Sequence, residues 1–340
     1  MLYHLISYMN FFNSGNTINY LSYFRLLGAA ITSFALFFLC GKYFIKIAQN
    51  FFKSPNREYT PESHKIKAGT PSMGGIFMIL TTIFSIFSWA DLIDTNLLLA
   101  LFCLMSFGAI GLWDDVSKIL YKRGISEKAK SFGQVLAAGI LVFAWFSLTS
   151  PATTVCVPFL PNYCLDIGYF IIPYAIFIII GTSNAVNLTD GLDGLAIRLI
   201  LINLITIGYL GYSTITAELT IGIAALVGSC LGFLYYNRYP AQIFMGDVGS
   251  LSLGAVLGFL AISTRHELFL PFTGIIFVVE TLSVIIQVLW YKAFKQRFFK
   301  RAPLHHHFEL SGWHEASVTR LFTIITLLLC LLIIFLSTTL

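Results

Sequence analysis

Residues 319–338 read TRLFTIITLLLCLLIIFLST, twenty residues whose one charge, Arg320, sits at the leading edge. A helix crossing the hydrocarbon core of a bilayer needs about 20 mostly apolar residues, so this run predicts a membrane span. Working outward, the same pattern recurs at roughly 22–41, 74–93, 96–112, 134–150, 168–183, 195–213, 217–236, 249–264 and 268–290, for ten spans in all. The chain of 340 residues is 57% hydrophobic and 11% charged, against roughly a quarter charged in soluble domains. The predicted fold is all-α: a polytopic integral membrane protein with one membrane-embedded domain over residues 1–340.

Ten spans place both termini on one side, and the loops then alternate. Loops 42–73, 113–133, 184–194, 237–248 and 291–318 carry Lys42, Lys46, Lys53, Arg57, Lys65, Lys67, Lys118, Lys122, Arg123, Lys128, Lys130, Arg238, Lys292, Lys295, Arg297, Lys300 and Arg301. The opposite loops carry only Arg265, while Arg25, Arg198 and Arg320 lie near span ends. Lys and Arg are retained in cytoplasmic loops, so the first set is predicted to be cytoplasmic and both termini to lie outside. An odd number of spans would scramble this separation. The net charge of +5 comes with no basic stripe on a soluble face, which excludes a nucleic-acid partner. Residues 1–20 lack a basic leader and a small-residue cleavage site, so no cleavable signal peptide is expected. Of six cysteines, Cys40, Cys103, Cys230 and Cys330 fall in apolar stretches and read as buried spacers. Cys156 and Cys164 share an outside loop; an oxidising compartment permits their pairing, which spacing alone does not fix.

The groups capable of chemistry gather in the same basic loops. Gly111-Leu112-Trp113-Asp114-Asp115-Val116-Ser117-Lys118 closes the third span. Adjacent carboxylates at a membrane boundary are expensive unless paired or bound to a cation. Mg²⁺ takes hard oxygen ligands, typically one or two carboxylates plus substrate phosphates; a solvated helix end is the plainer alternative. Asn184, Asn187, Asp190 and Asp193 recur every third residue after the fifth span, beside Gly191 and Gly194. That spacing keeps them near one helical face and suits hydrogen bonding to a sugar or nucleobase; an Asx-rich turn is the alternative. Asn237 to Ser250 brings Phe244 and a third carboxylate, Asp247, between Gly246 and Gly249 at a predicted helix start. His305, His306 and His307 are consecutive, so a regular helix cannot turn all three to one ion. Contact of one or two with phosphate is the better reading. Lys67 precedes Gly69-Thr70-Pro71-Ser72-Met73-Gly74-Gly75 and offers a point charge for phosphate.

Together, Gly-Thr-Pro-Ser-Met-Gly-Gly (69–75), Asn-Leu-Thr-Asp-Gly-Leu-Asp-Gly (187–194) and Pro-Leu-His-His-His-Phe-Glu (303–309) resemble motifs of the polyprenyl-phosphate N-acetylhexosamine-1-phosphate transferases. Within them the likeness is to the phospho-N-acetylmuramoyl-pentapeptide branch, and it covers essentially the whole chain. The resemblance implies a ten-span enzyme of the bacterial cytoplasmic (inner) membrane, with its active site facing the cytoplasm and a homodimer as the expected state. It also implies Mg²⁺-dependent transfer of phospho-MurNAc-pentapeptide from UDP-MurNAc-pentapeptide to undecaprenyl phosphate, giving lipid I and UMP. Carried onto this sequence, it makes Asp114, Asp115 and Asp247 the acidic centre, with Asp247 the principal metal ligand. Asp114 accepts a proton from, or orients, the lipid phosphate. Asn184, Asn187, Asp190 and Asp193 bind the nucleotide-sugar and support the metal, Asp193 and Phe244 lying near the uracil. Lys67, Lys118 and Lys130 meet phosphates or the nucleoside, and His305, His306 and His307 the diphosphate. Ser72 and Asn237 complete the substrate contacts. Two departures are Ser72, where the family commonly has Thr, and Lys65-Ile66-Lys67 in place of a frequent double Lys.

Two alternatives follow from the same residues. A transporter would place ionisable groups near the bilayer midplane, where this chain has only Glu280. A sibling transferase would use UDP-N-acetylglucosamine. An apolar groove between helices leading to Asp114 is expected for the lipid acceptor.

Overall fold

A computed structural model describes residues 17–51, 69–160 and 163–339; Lys67, His64 and Lys65 lie outside the described residues. Apolar runs become helices: α1 (Thr17–Phe51), α2 (Gly74–Trp89), α3 (Thr95–Tyr121), α4 (Glu127–Thr149), α5 (Ile171–Thr189), α6 (Leu195–Leu210), α7 (Ala217–Asn237), α8 (Gly246–Ser263), α9 (Leu270–Thr273), α10 (Ile275–Phe294), α11 (Leu304–Glu309) and α12 (Glu315–Thr339). Among the described residues, eight helices are long and apolar enough to cross a membrane, and α2 and α6 are shorter apolar helices of 16 residues each. The chain is an all-α, polytopic membrane protein.

Helix starts follow local chemistry. Asp94 accepts from the Leu97 amide at 2.8 Å, and Ser126 and Thr216 cap α4 and α7 in the same way, satisfying donors that have no partner inside the helix. The expected 268–290 span is interrupted: α9 ends at Thr273, and α10 begins at Ile275 after Gly274. Several basic loops are also shorter than the sequence suggests. α3 runs on to Tyr121 and α4 begins at Glu127, so Asp114, Asp115, Lys118 and Lys130 stand on helices. α5 likewise carries Asn184 and Asn187 before ending at Thr189.

α8 is the central stave, buried from Val248 to Ile262. Its Gly254-Ala255-Val256-Leu257-Gly258 segment faces α5, where a Cβ added at Gly254 or Gly258 would lie 2.8 or 3.0 Å from the Cα of Ser183 or Ile179. Small residues four apart let two spanning helices approach at backbone distance, and Ser183 Oγ then donates to Leu251 O at 2.8 Å. This contact brings the C-terminal end of α5 beside the N-terminus of α8.

The opposite end of the bundle is closed by a different set. Arg25 binds Glu218 and donates to Trp89 O at 2.9 Å, while the Asp91 amide donates to Glu218 at 2.6 Å; pairing makes charges at this depth tolerable. Two three-residue strands, β1 (Thr154–Cys156) and β2 (Cys164–Asp166), form a hairpin here. Cys156 and Cys164 are its facing pair and are disulfide-bonded. Arg265 donates to Ala152 O and Thr154 O from the turn after α8. Cys103, Cys230 and Cys330 are buried, whereas Cys40 is exposed on α1 instead of serving as a buried spacer.

Candidate active site

Four helix ends meet around one group of carboxylates. Asp114 and Asp115 are buried near the C-terminal end of α3, and Asp247 stands in the first turn of α8. One ligand oxygen from each lies within 4.8 Å of the other two. The approach is possible because residue 111 is glycine: a Cβ there would sit 2.2 Å from Asp247 O.

The acids are held from several directions. Asp114 Oδ1 accepts from the Ile125 amide at 2.8 Å and Asp115 Oδ2 from the Val248 amide at 3.2 Å. Lys118 Nζ lies 2.7 Å from Asp114 Oδ2, 3.3 Å from Asp115 Oδ1 and 3.2 Å from Asp247 Oδ1. Lys130 Nζ, from the first turn of α4, lies 2.6 Å from Asp247 Oδ2 and 3.8 Å from Asp114 Oδ2. Asn187 Nδ2 donates to Asp247 Oδ1 at 3.1 Å and Ser250 Oγ at 2.8 Å.

The Gly69–Gly75 motif docks beside this centre through backbone bonds. Phe244 N donates to Pro71 O, Gly74 N to Phe244 O and Gly75 N to Met245 O, at 2.9 to 3.0 Å. A Cβ on Gly246 would lie 2.6 Å from Asp115 Oδ2 and 3.1 Å from Ser72 Oγ, so Ser72 and Asp115 flank the same turn.

The profile of glycosyl transferase family 4 matches residues 97–265, from the start of α3 to the turn after α8. The phospho-N-acetylmuramoyl-pentapeptide-transferase of Rickettsia bellii (strain RML369-C) is 45% identical over 356 residues, covering 98% of both chains. Those of Rickettsia felis and Rickettsia canadensis are 44% and 43% identical at the same coverage. The chain belongs to the phospho-N-acetylmuramoyl-pentapeptide transferase family.

In this family member the remaining sequence-predicted residues fall into three groups. Asp190 stays with the centre: burial first, then the negative fields of Asp247, Asp115 and Asp193, push its carboxyl up to about 7. A folded value above the ordinary 3.8 means that the folded state holds this proton longer than the unfolded chain, so stability falls as pH rises from about 4 to about 7. Asp190→Asn is expected to flatten that slope, seen as a smaller drop in melting temperature between pH 5 and pH 8. A second group holds the walls. Asn184 and Gln134 exchange amide bonds at 2.9 and 3.3 Å. Asn237 bridges the Gly194 amide and Ile243 O. Asp193 is buried, accepts from the Ala241 amide at 2.9 Å, and its own amide donates to Glu315 at 2.6 Å.

The three histidines diverge on α11. His305 is buried, its Nδ1 lying 3.1 Å from Glu280 Oε2 and its amide donating to Glu280 Oε1 at 3.0 Å. A Cβ on Gly191 would meet His305 Nε2 at 2.1 Å, so this ring is wedged against the loop that carries Asp190. His306 Nδ1 lies 2.7 Å from Glu309, and burial holds its imidazole below the usual range. His307 Nδ1 accepts from the Lys300 amide at 3.2 Å. Glu280→Ala leaves the His305 amide without its acceptor, at about 2 kcal/mol. The expected result is a lower melting temperature and a rise in KM larger than the fall in kcat; Glu280→Gln, which keeps an acceptor, recovers most of both.

The three converging carboxylates form a hard oxygen donor set, the kind that Mg²⁺ fits. Sequence reasoning passed over Gln134, the partner of Asn184. Its signal was present: an uncharged polar residue four positions after Lys130, on one helical face with it. The apolar cleft in the structure is lined by Thr82, Leu97, Leu101, Leu104, Leu219 and Leu226 among others. Its nearest α3 residue, Leu104, is about 15 Å along the helix from Asp114, so this cleft is not the expected groove to the acids.

Proposed function

We propose that the chain transfers phospho-MurNAc-pentapeptide from UDP-MurNAc-pentapeptide to undecaprenyl phosphate, producing lipid I and UMP, in a Mg²⁺-dependent reaction. The observation that carries this reading is the convergence of Asp114, Asp115, Asp247, Lys118 and Lys130 at one end of a membrane-spanning bundle. An oxygen of the lipid phosphate attacks the sugar-linked phosphorus. The bond from that phosphorus to the bridging oxygen breaks, and UMP leaves with the oxygen. Several negative charges must approach one another, so the protein acts chiefly by positioning and neutralisation. Mg²⁺, when bound by Asp247 with Asp114 and Asp115, supplies further neutralisation of the diphosphate.

The chain's own groups divide the work. Asp114 is fixed through Oδ1 by the Ile125 amide, which leaves Oδ2 on the lysine side, where it orients the lipid phosphate or accepts its proton. Lys130 draws phosphate oxygens towards Asp247. Asn187 fixes the Asp247 carboxylate, and Asp190 lies in its field. His305, packed against Gly191, holds the loop that carries Asp190 and Asp193.

The acidic end faces the cytoplasm, in the bacterial inner membrane. Lys118 and Lys130 lie at that end, while the disulfide-bonded hairpin lies at the other, and disulfides persist in oxidising compartments. Maleimide that cannot cross membranes is expected to label Cys156 and Cys164 in reduced spheroplasts but not in inverted vesicles; the reverse pattern refutes the orientation. The reaction is tested with purified protein, undecaprenyl phosphate and Mg²⁺. UMP release is expected with UDP-MurNAc-pentapeptide and not with UDP-N-acetylglucosamine. Release with the second alone moves the chain to the sibling transferases.

A further inference from the structure

Lys118 is the one described lysine whose ammonium reaches all three carboxylates, at 2.7, 3.3 and 3.2 Å from Asp114, Asp115 and Asp247. Lys130 reaches two and binds the other oxygen of Asp247. The two lysines also differ in freedom. Lys118 keeps 29% of its side-chain surface exposed, against 14% for Lys130. Lys118 stands one turn beyond the acids on the same helix, so rotation of its four-carbon stem carries the ammonium away from them without backbone movement.

These three carboxylates are also the acids placed to hold a divalent cation. Such a cation needs oxygen ligands at about 2.1 Å and tolerates no neighbouring ammonium among them, because two positive charges at such separation repel strongly. We propose that Lys118 and the divalent cation are competing partners of the Asp114–Asp115–Asp247 group, so that metal entry turns the Lys118 ammonium out to meet a substrate phosphate. The inference rests on the metal-dependent reading above and adds an order to it: metal first, then anionic substrate. Coupling of this kind is reciprocal. If metal expels the lysine, removing the lysine tightens the metal.

The test uses the full-length protein in detergent with Mn²⁺ as the probe, free Mn²⁺ being read by its electron paramagnetic resonance signal. The wild type is expected to bind Mn²⁺ and Asp247→Asn to lose most of that binding. Lys118→Met is expected to bind roughly tenfold more tightly, although its turnover falls. Unchanged or weaker binding in Lys118→Met overturns the competition while leaving the metal site standing; no binding by the wild type overturns the metal site itself. A second measurement needs no variant. Reductive methylation of Lys118, followed by peptide mass spectrometry, is expected to quicken as Mg²⁺ is added, while exposed Lys128 stays constant. A Lys118 rate indifferent to Mg²⁺ also overturns the proposal.

Discussion

Asp247→Asn is expected to lower kcat by on the order of a thousandfold while leaving the protein folded in the membrane. Asp247 is the acid shared by Lys118, Lys130 and Asn187, and it opens the helix at the centre of the bundle. The amide removes a negative charge from a set of three, and with it a ligand of the proposed Mg²⁺; metal neutralisation supplies several kcal/mol to such reactions. Folding is less affected, because both lysines keep Asp114 within 4 Å. The measurement is UMP release beside a melting curve. A variant that keeps a tenth of wild-type turnover would remove Asp247 from the centre of the mechanism.

Gly111→Ala is expected to cost about a hundredfold in kcat/KM through one methyl group. The new Cβ would sit 2.2 Å from Asp247 O and 2.5 Å from Val248 N. Both are backbone atoms of a buried helix start, so neither can swing aside. α3 and α8 must separate, and the Asp114–Asp247 distance grows with them. A misplacement of about 1 Å in a reacting constellation costs about a hundredfold, and overpacking adds about 1–3 kcal/mol of destabilisation. Gly139, with nothing within 4 Å of its added Cβ, is the control: Gly139→Ala is expected to leave turnover unchanged. Equal effects at the two sites would refute the spacing argument.

The contrast between the two glycines shows where the sequence stops being informative. Hydropathy marked the eight long helices and the two shorter apolar ones because a bilayer demands long apolar runs, and Lys118 and Lys130 from the basic loops lie at the end where the carboxylates gather. The acids at 114, 115 and 247 were legible because carboxylates at span boundaries are costly without a partner. What hydropathy misplaced were the helix ends. Polarity begins at Trp113–Asp114, but the helical hydrogen bonds continue to Tyr121, which is why Lys118 stands over the acids one turn away. The pairing of helices was illegible for another reason. Gly254 and Gly258 look like any small residues in an apolar run until α5 lies against them. Likewise the histidine triplet reads as one feature, yet a helix sends its three rings to Glu280, Glu309 and Lys300.

The central position of α8 also sets a timetable for biogenesis. Its chief neighbours near the site, α3 and α5, precede it in the chain, as do Asp114, Asp115, Lys118, Lys130 and Asn187. A ribosome that has delivered everything up to residue 245 has therefore made two of the three acids and both lysines, with no central helix to gather them. The carboxylate cluster is gathered when the segment from Gly246 to Ser263 enters between helices already inserted, so it is a late product of translation.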